Sequence, residues 1–202
     1  MPHPLQAIPP TWRPALLRIV VALAMAASLA MLWLGWPLRG PATPLGIASL
    51  ELAPDGAAAA AIIDAWKAEH AGIRMDNDMA TMVQSVPRGL DELAATITLL
   101  GYPYALLYCL AISMVCVWLG SPGLGAGLGW LIWVGGLLDA LENTLLLRTL
   151  YGEAEGTLPK TTHLVAWAKF VVIGVCLGYA VRAVWRRRDD RPGGLSHSKT
   201  VP

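Results

Sequence analysis

Two acidic side chains and an amide lie inside a long apolar stretch of this 202-residue chain. Asp139, Glu142 and Asn143 occupy positions i, i+3 and i+4, and this spacing places them on one face of an α-helix. Such groups could pair with a buried base, bind the head group of a ligand or carry a proton along a membrane path. An acid at the centre of a membrane helix costs about 2.5–3.5 kcal/mol, so each acid is expected to have a partner.

A base that could supply the counter-charge lies in the last apolar stretch. At 1.5 Å per residue, Lys169 is about 10 Å from the start of that stretch and Asp139 about 13 Å from the end of its own. Thr98 and Tyr102 fall at a similar depth in the second stretch. The predicted polar cluster comprises Asp139, Glu142, Asn143, Lys169, Tyr102 and Thr98. We expect Lys169 to pair with Asp139 or Glu142, and Glu142, the shallower acid, to be hydrated.

The composition is that of a membrane protein. The chain is 55% hydrophobic and 14% charged, whereas a soluble domain carries about 25% charged residues. Several apolar runs reach the roughly 20 residues that a helix needs to cross about 30 Å of hydrocarbon, and the alternating pattern of a barrel is absent. The sequence therefore predicts an all-α integral membrane protein, a four-helix transmembrane bundle with a helical insertion. A net charge of +1 gives no indication of a nucleic-acid partner.

The apolar runs define the predicted organisation of the chain. An N-terminal tail, residues 1–15, precedes a transmembrane domain, residues 16–185, and a basic tail, residues 186–202, is predicted to be disordered. The predicted spans are 16–38, 93–119, 124–147 and 162–185, with an outer segment at 39–92. The first span could instead be a secretory signal, but its apolar run exceeds the usual 7–15 residues, so we interpret it as an uncleaved helix.

The outer segment has its own helix signals. Asp55 is predicted to cap a helix that runs from Gly56 to about His70, with Gly72 as a stop. Asp76 and Asp78 are two residues apart and could bind a hard cation, but without a glycine turn and further oxygen ligands a solvated face is the better interpretation.

Glycines recur where the spans should pack together. Those between 123 and 129 join two spans and lack the preceding strand of a phosphate-binding loop, so they predict close helix packing. Gly135 and Gly136 could let a neighbouring helix approach the acids. Gly174 and Gly178 form a small-xxx-small pair in the last span.

Charge placement predicts the orientation. Four spans put both termini on one side, and the cluster Arg186–Arg188 directly follows the last span. By the positive-inside rule both termini are cytoplasmic, and the segments 39–92 and 148–161 face outward. We expect a multi-pass protein of the cell membrane, a bacterial inner membrane, with the lipid bilayer as its main partner. Anionic lipid is expected at Arg186–Arg188.

No pattern for a cofactor or metal is present. Cys109, Cys116 and Cys176 lie in apolar runs without zinc-site spacing and are interpreted as free, packed thiols. His70 and His163 form no ligand motif with Cys, Asp or Glu, and no nucleophile elbow occurs. The sequence favours a protein without catalytic activity and predicts no metal and no cofactor.

Several functions stay open for the polar cluster. It could be a buried ion-pair network that holds helices together, a site for a small polar ligand or lipid head group, or part of a proton-coupled transporter. Transport would require a homo- or hetero-oligomer, because four spans show no inverted repeat. An enzyme acting on a lipid- or quinone-like substrate is the catalytic alternative. A closed ion pair without a cavity would favour the structural role, and an open cavity with unpaired carboxyls would favour a ligand or substrate.

One part of the sequence resembles a known family. Residues 137–147 (LLDALENTLLL), together with the lysine of Ala168-Lys169-Phe170 in the last span, resemble small bacterial four-span membrane proteins. A Trp-bearing helix before the second span, here with Trp66, fits the same pattern, whereas the second span departs from the family's aromatic, Asp-bearing version. The resemblance implies a four-span fold and supplies no activity or ligand.

Overall fold

The computed structural model describes residues 3–74, 89–121, 123–152 and 157–189. Its α-helices are α1 (Arg13–Leu34), α2 (Ile47–Glu51), α3 (Gly56–Arg74), α4 (Leu90–Leu119), α5 (Leu124–Leu150) and α6 (Leu158–Asp189). Two short 3₁₀ helices span Pro4–Ala7 and Trp36–Leu38. The acid pair Asp76 and Asp78 and the tail after Asp189 lie outside the described residues.

Four of these helices, α1, α4, α5 and α6, are long and apolar enough to cross a membrane. This confirms the predicted all-α four-helix transmembrane bundle. The observed end of α1 differs from the predicted span 16–38. The helix ends at Leu34, because Gly35 and Pro37 lead into a 3₁₀ turn. The prediction of disorder from residue 186 is wrong for its first residues, since α6 continues to Asp189. Arg187 anchors that extension by donating from Nη2 to the carbonyl of Trp118 at 2.7 Å.

Close packing of α5 depends on glycines that face different neighbours. A Cβ at Gly125 would lie 2.3 Å from the carbonyl oxygen of Cys116, so α4 and α5 touch backbone to backbone there. Gly136 faces Cys109 of α4, and Gly135 faces Val172 of α6. The prediction of close packing is thus confirmed at Gly125, Gly135 and Gly136, whereas a Cβ at Gly127 would meet no atom within 4 Å among the described residues.

The glycine pair of α6 behaves differently. Gly174 and Gly178 are exposed, and a Cβ at either would meet no atom within 4 Å among the described residues. Both therefore lie on the outer surface of the bundle, and the predicted close contact at this pair does not form within the chain.

Helix α1 is the most loosely attached span. Only 6% of its apolar window is buried inside the protein, and Ala24 is its single buried residue. It packs antiparallel on α4, where the hydroxyls of Ser28 and Tyr104 are 3.0 Å apart. The other flank of α1 is left without a tight neighbour, and this opens a cleft toward α6.

The N-terminal segment before α1 folds back onto the bundle end that carries the α4–α5 turn. His3 is 4% exposed and stacks on Trp130 with ring centroids 4.8 Å apart. Its Nδ1 accepts from the backbone N–H of Leu5 at 3.2 Å, so the neutral ring carries its proton on Nε2, 3.3 Å from Ser113 Oγ. Trp118 Nε1 donates to the carbonyl of Leu5 at 2.8 Å. Because Nδ1 must be unprotonated to accept from Leu5, this docked arrangement requires neutral His3.

This docking is expected to weaken in acid. Burial lowers the pKa of His3 below its ordinary value of 6.5, an effect partly opposed by a hydrogen bond with the Gly129 backbone. The unfolded segment therefore takes up a proton first as the pH falls. Stability that is fully present above about pH 6.5 is lost as the pH falls below that value and through the lower pKa of the folded state. Hydrogen exchange of residues 3–12, corrected for intrinsic rates, should be faster at pH 5.5 than at pH 7.5. Replacing His3 by Gln should remove the pH dependence; its persistence would contradict this account.

The insertion between α1 and α4 forms a cap, residues 36–74, over the opposite end of the bundle. Trp66 of α3 is fully buried, and its Nε1 donates to the carbonyl of Leu38 at 3.1 Å. The same carbonyl accepts from Thr43 Oγ1 at 2.8 Å. The backbone N–H of Ala58 donates to Asp55 Oδ1 at 2.9 Å, which confirms the predicted N-cap. The predicted stop at Gly72 is wrong, because α3 continues to Arg74.

Candidate functional site

The bundle holds a cluster of ionisable groups around Lys169 of α6. Lys169 Nζ donates to Asp139 Oδ1 at 3.0 Å and forms an ion pair with Glu142 Oε2. A third carboxylate, Glu51 Oε2, lies 3.7 Å from the same Nζ. The lysine and α5 acids are nearly inaccessible, with Lys169 6%, Asp139 8% and Glu142 0% exposed. One ammonium group thus joins α2, α5 and α6.

Of the remaining residues predicted for the cluster, Asn143 lies against Gly101 of α4. A Cβ at Gly101 would lie 2.6 Å from Asn143 Nδ2, so a larger residue at position 101 would force the amide to shift. The structure does not bring Thr98 and Tyr102 to Lys169. Thr98 Oγ1 bonds the carbonyl of Ala94 within its own helix, and the Tyr102 hydroxyl is 2.8 Å from Thr144 Oγ1.

Tyr108 takes the place that the sequence argument assigned to Tyr102. Its hydroxyl donates to Asp139 Oδ2 at 3.1 Å, and its ring contacts Tyr104 edge-on at 5.4 Å. A tight turn sets the register of two antiparallel helices. Counting residues in both directions from the short turn between α4 and α5 would therefore have identified Tyr108. Position 139 then faces the neighbourhood of 105, between the two tyrosines. Counting from the far helix ends misplaced α4 relative to α5 by about 9 Å along the axis. It therefore selected Tyr102, whose hydroxyl contacts Thr144 instead of Asp139.

Glu51 is the second residue that sequence reasoning missed. It ends α2, a five-residue helix of the cap, and no hydropathy signal places this helix against the bundle core. His163 of α6 holds the following turn through a contact of 3.1 Å between Nδ1 and the carbonyl of Leu52. The cap also overturns the expectation that Glu142 is hydrated: Glu142 is fully buried.

The cluster has more acceptors than donors. Three carboxylates share one lysine, so two negative charges are in excess when every group is ionised. Glu142 Oε1 and Asn143 Nδ2 are buried without a hydrogen-bond partner among the described residues. A buried polar atom without a partner costs about 1–3 kcal/mol. The cluster is therefore more than a closed, neutral ion pair.

A cavity of about 470 Å³ reaches this cluster from the side of the bundle, between α1, α4 and α6. Its walls are mainly apolar, with Val21, Ala24, Met25, Ile112, Val115 and Leu177 among the lining residues. Its polar groups are Ser28, Tyr104, Tyr108, Asp139 and Lys169. Met25, Leu177 and Phe170 at its edge are 63%, 48% and 41% exposed, so the cleft opens onto the lipid-facing surface.

Other candidate chemistry is not assembled in the described part of the chain. No group of three or more His, Cys, Asp or Glu side chains there has a geometry that could hold a metal ion. All three cysteines are free and buried, as predicted, and Cys109 Sγ donates to the carbonyl of Ile132 at 3.3 Å. The cluster at the end of the cleft is thus the principal polar feature of the bundle.

Comparison of the chain with protein-family models, curated proteins and solved structures finds no match. Function is therefore inferred from the geometry of the cleft and the cluster.

Proposed function

We propose that this multi-pass membrane protein binds an amphipathic, lipid-like ligand in the cleft between α1 and α6. The head group would meet Asp139 and Tyr108, and the tail would lie along the apolar walls. The observation that carries the proposal is the position of Asp139 and Lys169 at the inner end of a lipid-facing apolar cavity. Sites for small ligands combine apolar walls with a few placed polar groups in this way.

A purely structural role explains the ion pairs of the site but not the cleft. Lys169 and its carboxylates do hold helices together, and this function needs only a closed contact. It does not require the adjoining cleft of about 470 Å³, which leads from the lipid-facing surface to Asp139 and Lys169. The weak packing of α1 supports the proposal further, because a loosely attached helix can move aside for a ligand that enters from the bilayer.

Filling the cleft is expected to displace the ligand. Ala24 of α1 lines the cavity and is buried, whereas Ala22 is exposed on the same helix and lies outside the lining. Native mass spectrometry of the purified protein should show a bound amphiphile in the natural sequence and in Ala22→Phe. The bound fraction should fall about tenfold or more in Ala24→Phe, equivalent to at least about 1.4 kcal/mol. Equal occupancy in both variants would count against a ligand in this cleft.

We infer that both termini are cytoplasmic, and that the basic end of α6 meets anionic lipid. In support, the N-terminal segment and the end of α6 meet at the same bundle end, where Arg13 and Arg187 both contact Trp118. Reporter fusions should place Leu195 on the cytoplasmic side and His70 on the outer side of a bacterial inner membrane. The reverse placement would overturn this orientation, and the same side for both would overturn the four-span topology.

A further inference from the structure

We infer that the cleft selects a single-chain amphiphile whose head group donates hydrogen bonds, an alcohol or an amine, over one with an anionic head group. This inference rests on the proposed function, because it specifies the ligand of the same site. Three observations carry it: the carboxylates that surround Lys169, the free acceptor capacity of Asp139, and the size of the cleft.

The charge of Lys169 is already matched by acids of the protein. Its Nζ donates to Asp139 Oδ1 at 3.0 Å, forms an ion pair with Glu142 and lies 3.7 Å from Glu51 Oε2. A phosphate or carboxylate head group would have to compete with these carboxylates for Lys169 and displace at least one of them. The displaced acid would then be buried without its counter-charge, which is strongly unfavourable. The lysine at the end of the cleft is therefore a poor anion receptor.

Asp139, in contrast, retains capacity to accept. Its Oδ1 accepts from Lys169 and its Oδ2 from Tyr108, whereas a carboxylate has about four lone-pair sites. Because the Tyr108 hydroxyl gives its proton to Asp139, its oxygen presents a lone pair rather than a donor. Both groups line the cavity, so a ligand that reaches them meets acceptors.

The charge of the cluster favours the same class of ligand. Glu51 and Glu142 do not line the cavity, but their carboxyl groups lie within 4.0 Å of Lys169 Nζ, so the cluster carries excess negative charge whenever more than one of its three acids is ionised. Charges interact strongly where water is excluded. An ammonium head group would reduce the excess negative charge, a hydroxyl would leave it unchanged, and an anion would increase it.

The volume of the cleft limits the size of the ligand's apolar tail. At about 30 Å³ for a water-sized group, a cavity of about 470 Å³ holds roughly 15 such groups. One acyl or isoprenoid chain with a small head group fits this volume. A second chain would have to lie outside, against the exposed faces of α1 and α6.

Three photoactivatable probes with one common alkyl chain test the inference: a primary alcohol, a primary amine and a carboxylate. Each is incorporated into vesicles of neutral lipid with the full-length protein, and labelled peptides of α1, α4 and α6 are quantified. The alcohol and the amine should label the cleft about tenfold more than the carboxylate. Labelling by all three should be lost in Ala24→Phe and kept in Ala22→Phe.

A second variant tests the electrostatic part. Glu51→Gln removes one excess charge without altering the cleft lining, so the preference for amine over alcohol should fall while the carboxylate stays weakest. Equal labelling by all three probes that Ala24→Phe abolishes would leave the proposed function standing and overturn the head-group selectivity. Labelling that Ala24→Phe does not reduce would overturn the proposed function itself. An unchanged amine preference in Glu51→Gln would overturn the role of the excess charge.

Discussion

Replacing Lys169 by Met is expected to lower the free energy of unfolding by about 3–5 kcal/mol, the usual cost of removing one partner from a buried ion pair. Met preserves most of the apolar stem, so the loss would come from the missing charge rather than from a cavity. Three carboxylates would be left around one site, with Glu142 fully buried. This is the largest single effect that the structure predicts.

The variant Lys160→Met provides the matched control, because Lys160 is exposed on the same helix and its loss should change stability by no more than about 0.5 kcal/mol. Denaturation by sodium dodecyl sulfate in mixed micelles would measure the unfolding free energy of both variants. Adding Asp139→Asn to Lys169→Met should restore part of the lost stability, because one unpaired carboxylate is removed. Strictly additive losses would show that Asp139 and Lys169 are not coupled.

Substitution of Gly125 by Ala is expected to cost about 1–3 kcal/mol or more, because overpacking here cannot be relieved by a side chain. The new Cβ would lie 2.3 Å from the backbone carbonyl oxygen of Cys116, so α4 and α5 would have to separate. That separation would propagate along the hairpin toward Asp139 and Tyr108, whose contact joins the same two helices at 3.1 Å.

Gly127 is the matched control for this change. It lies two residues further along α5, and a Cβ there would meet no atom within 4 Å among the described residues. Ala at this position should stabilise the protein by up to about 1 kcal/mol, the difference in helix propensity between Ala and Gly. Opposite signs for the two substitutions in the same unfolding assay are expected. Equal effects would show that backbone contact at Gly125 does not limit the helix separation.

The sequence was sufficient to predict the features that depend on a single helix. Apolar length identified four spans, and the spacing of Asp139, Glu142 and Asn143 placed them on one face. Depth along each span brought Lys169 to the level of the acids, and the N-cap at Asp55 followed from local hydrogen bonding. These properties depend on the rise per residue of a helix and on the cost of burying charge. Both can be applied to a sequence without knowing how the helices pack.

Tertiary structure alone decided which groups meet. The axial register and the rotation of α4 against α5 brought Tyr108 rather than Tyr102 to Asp139, and neither a shift along the axis nor a rotation changes the hydropathy of a helix. The path of the cap brought Glu51 to Lys169 and buried Glu142, although Glu51 is distant from both in sequence. The cleft between α1 and α6 likewise arises from a gap between helices. The position of a residue along its own helix is a property of that helix. Register, rotation and gaps between helices depend on how several helices pack together.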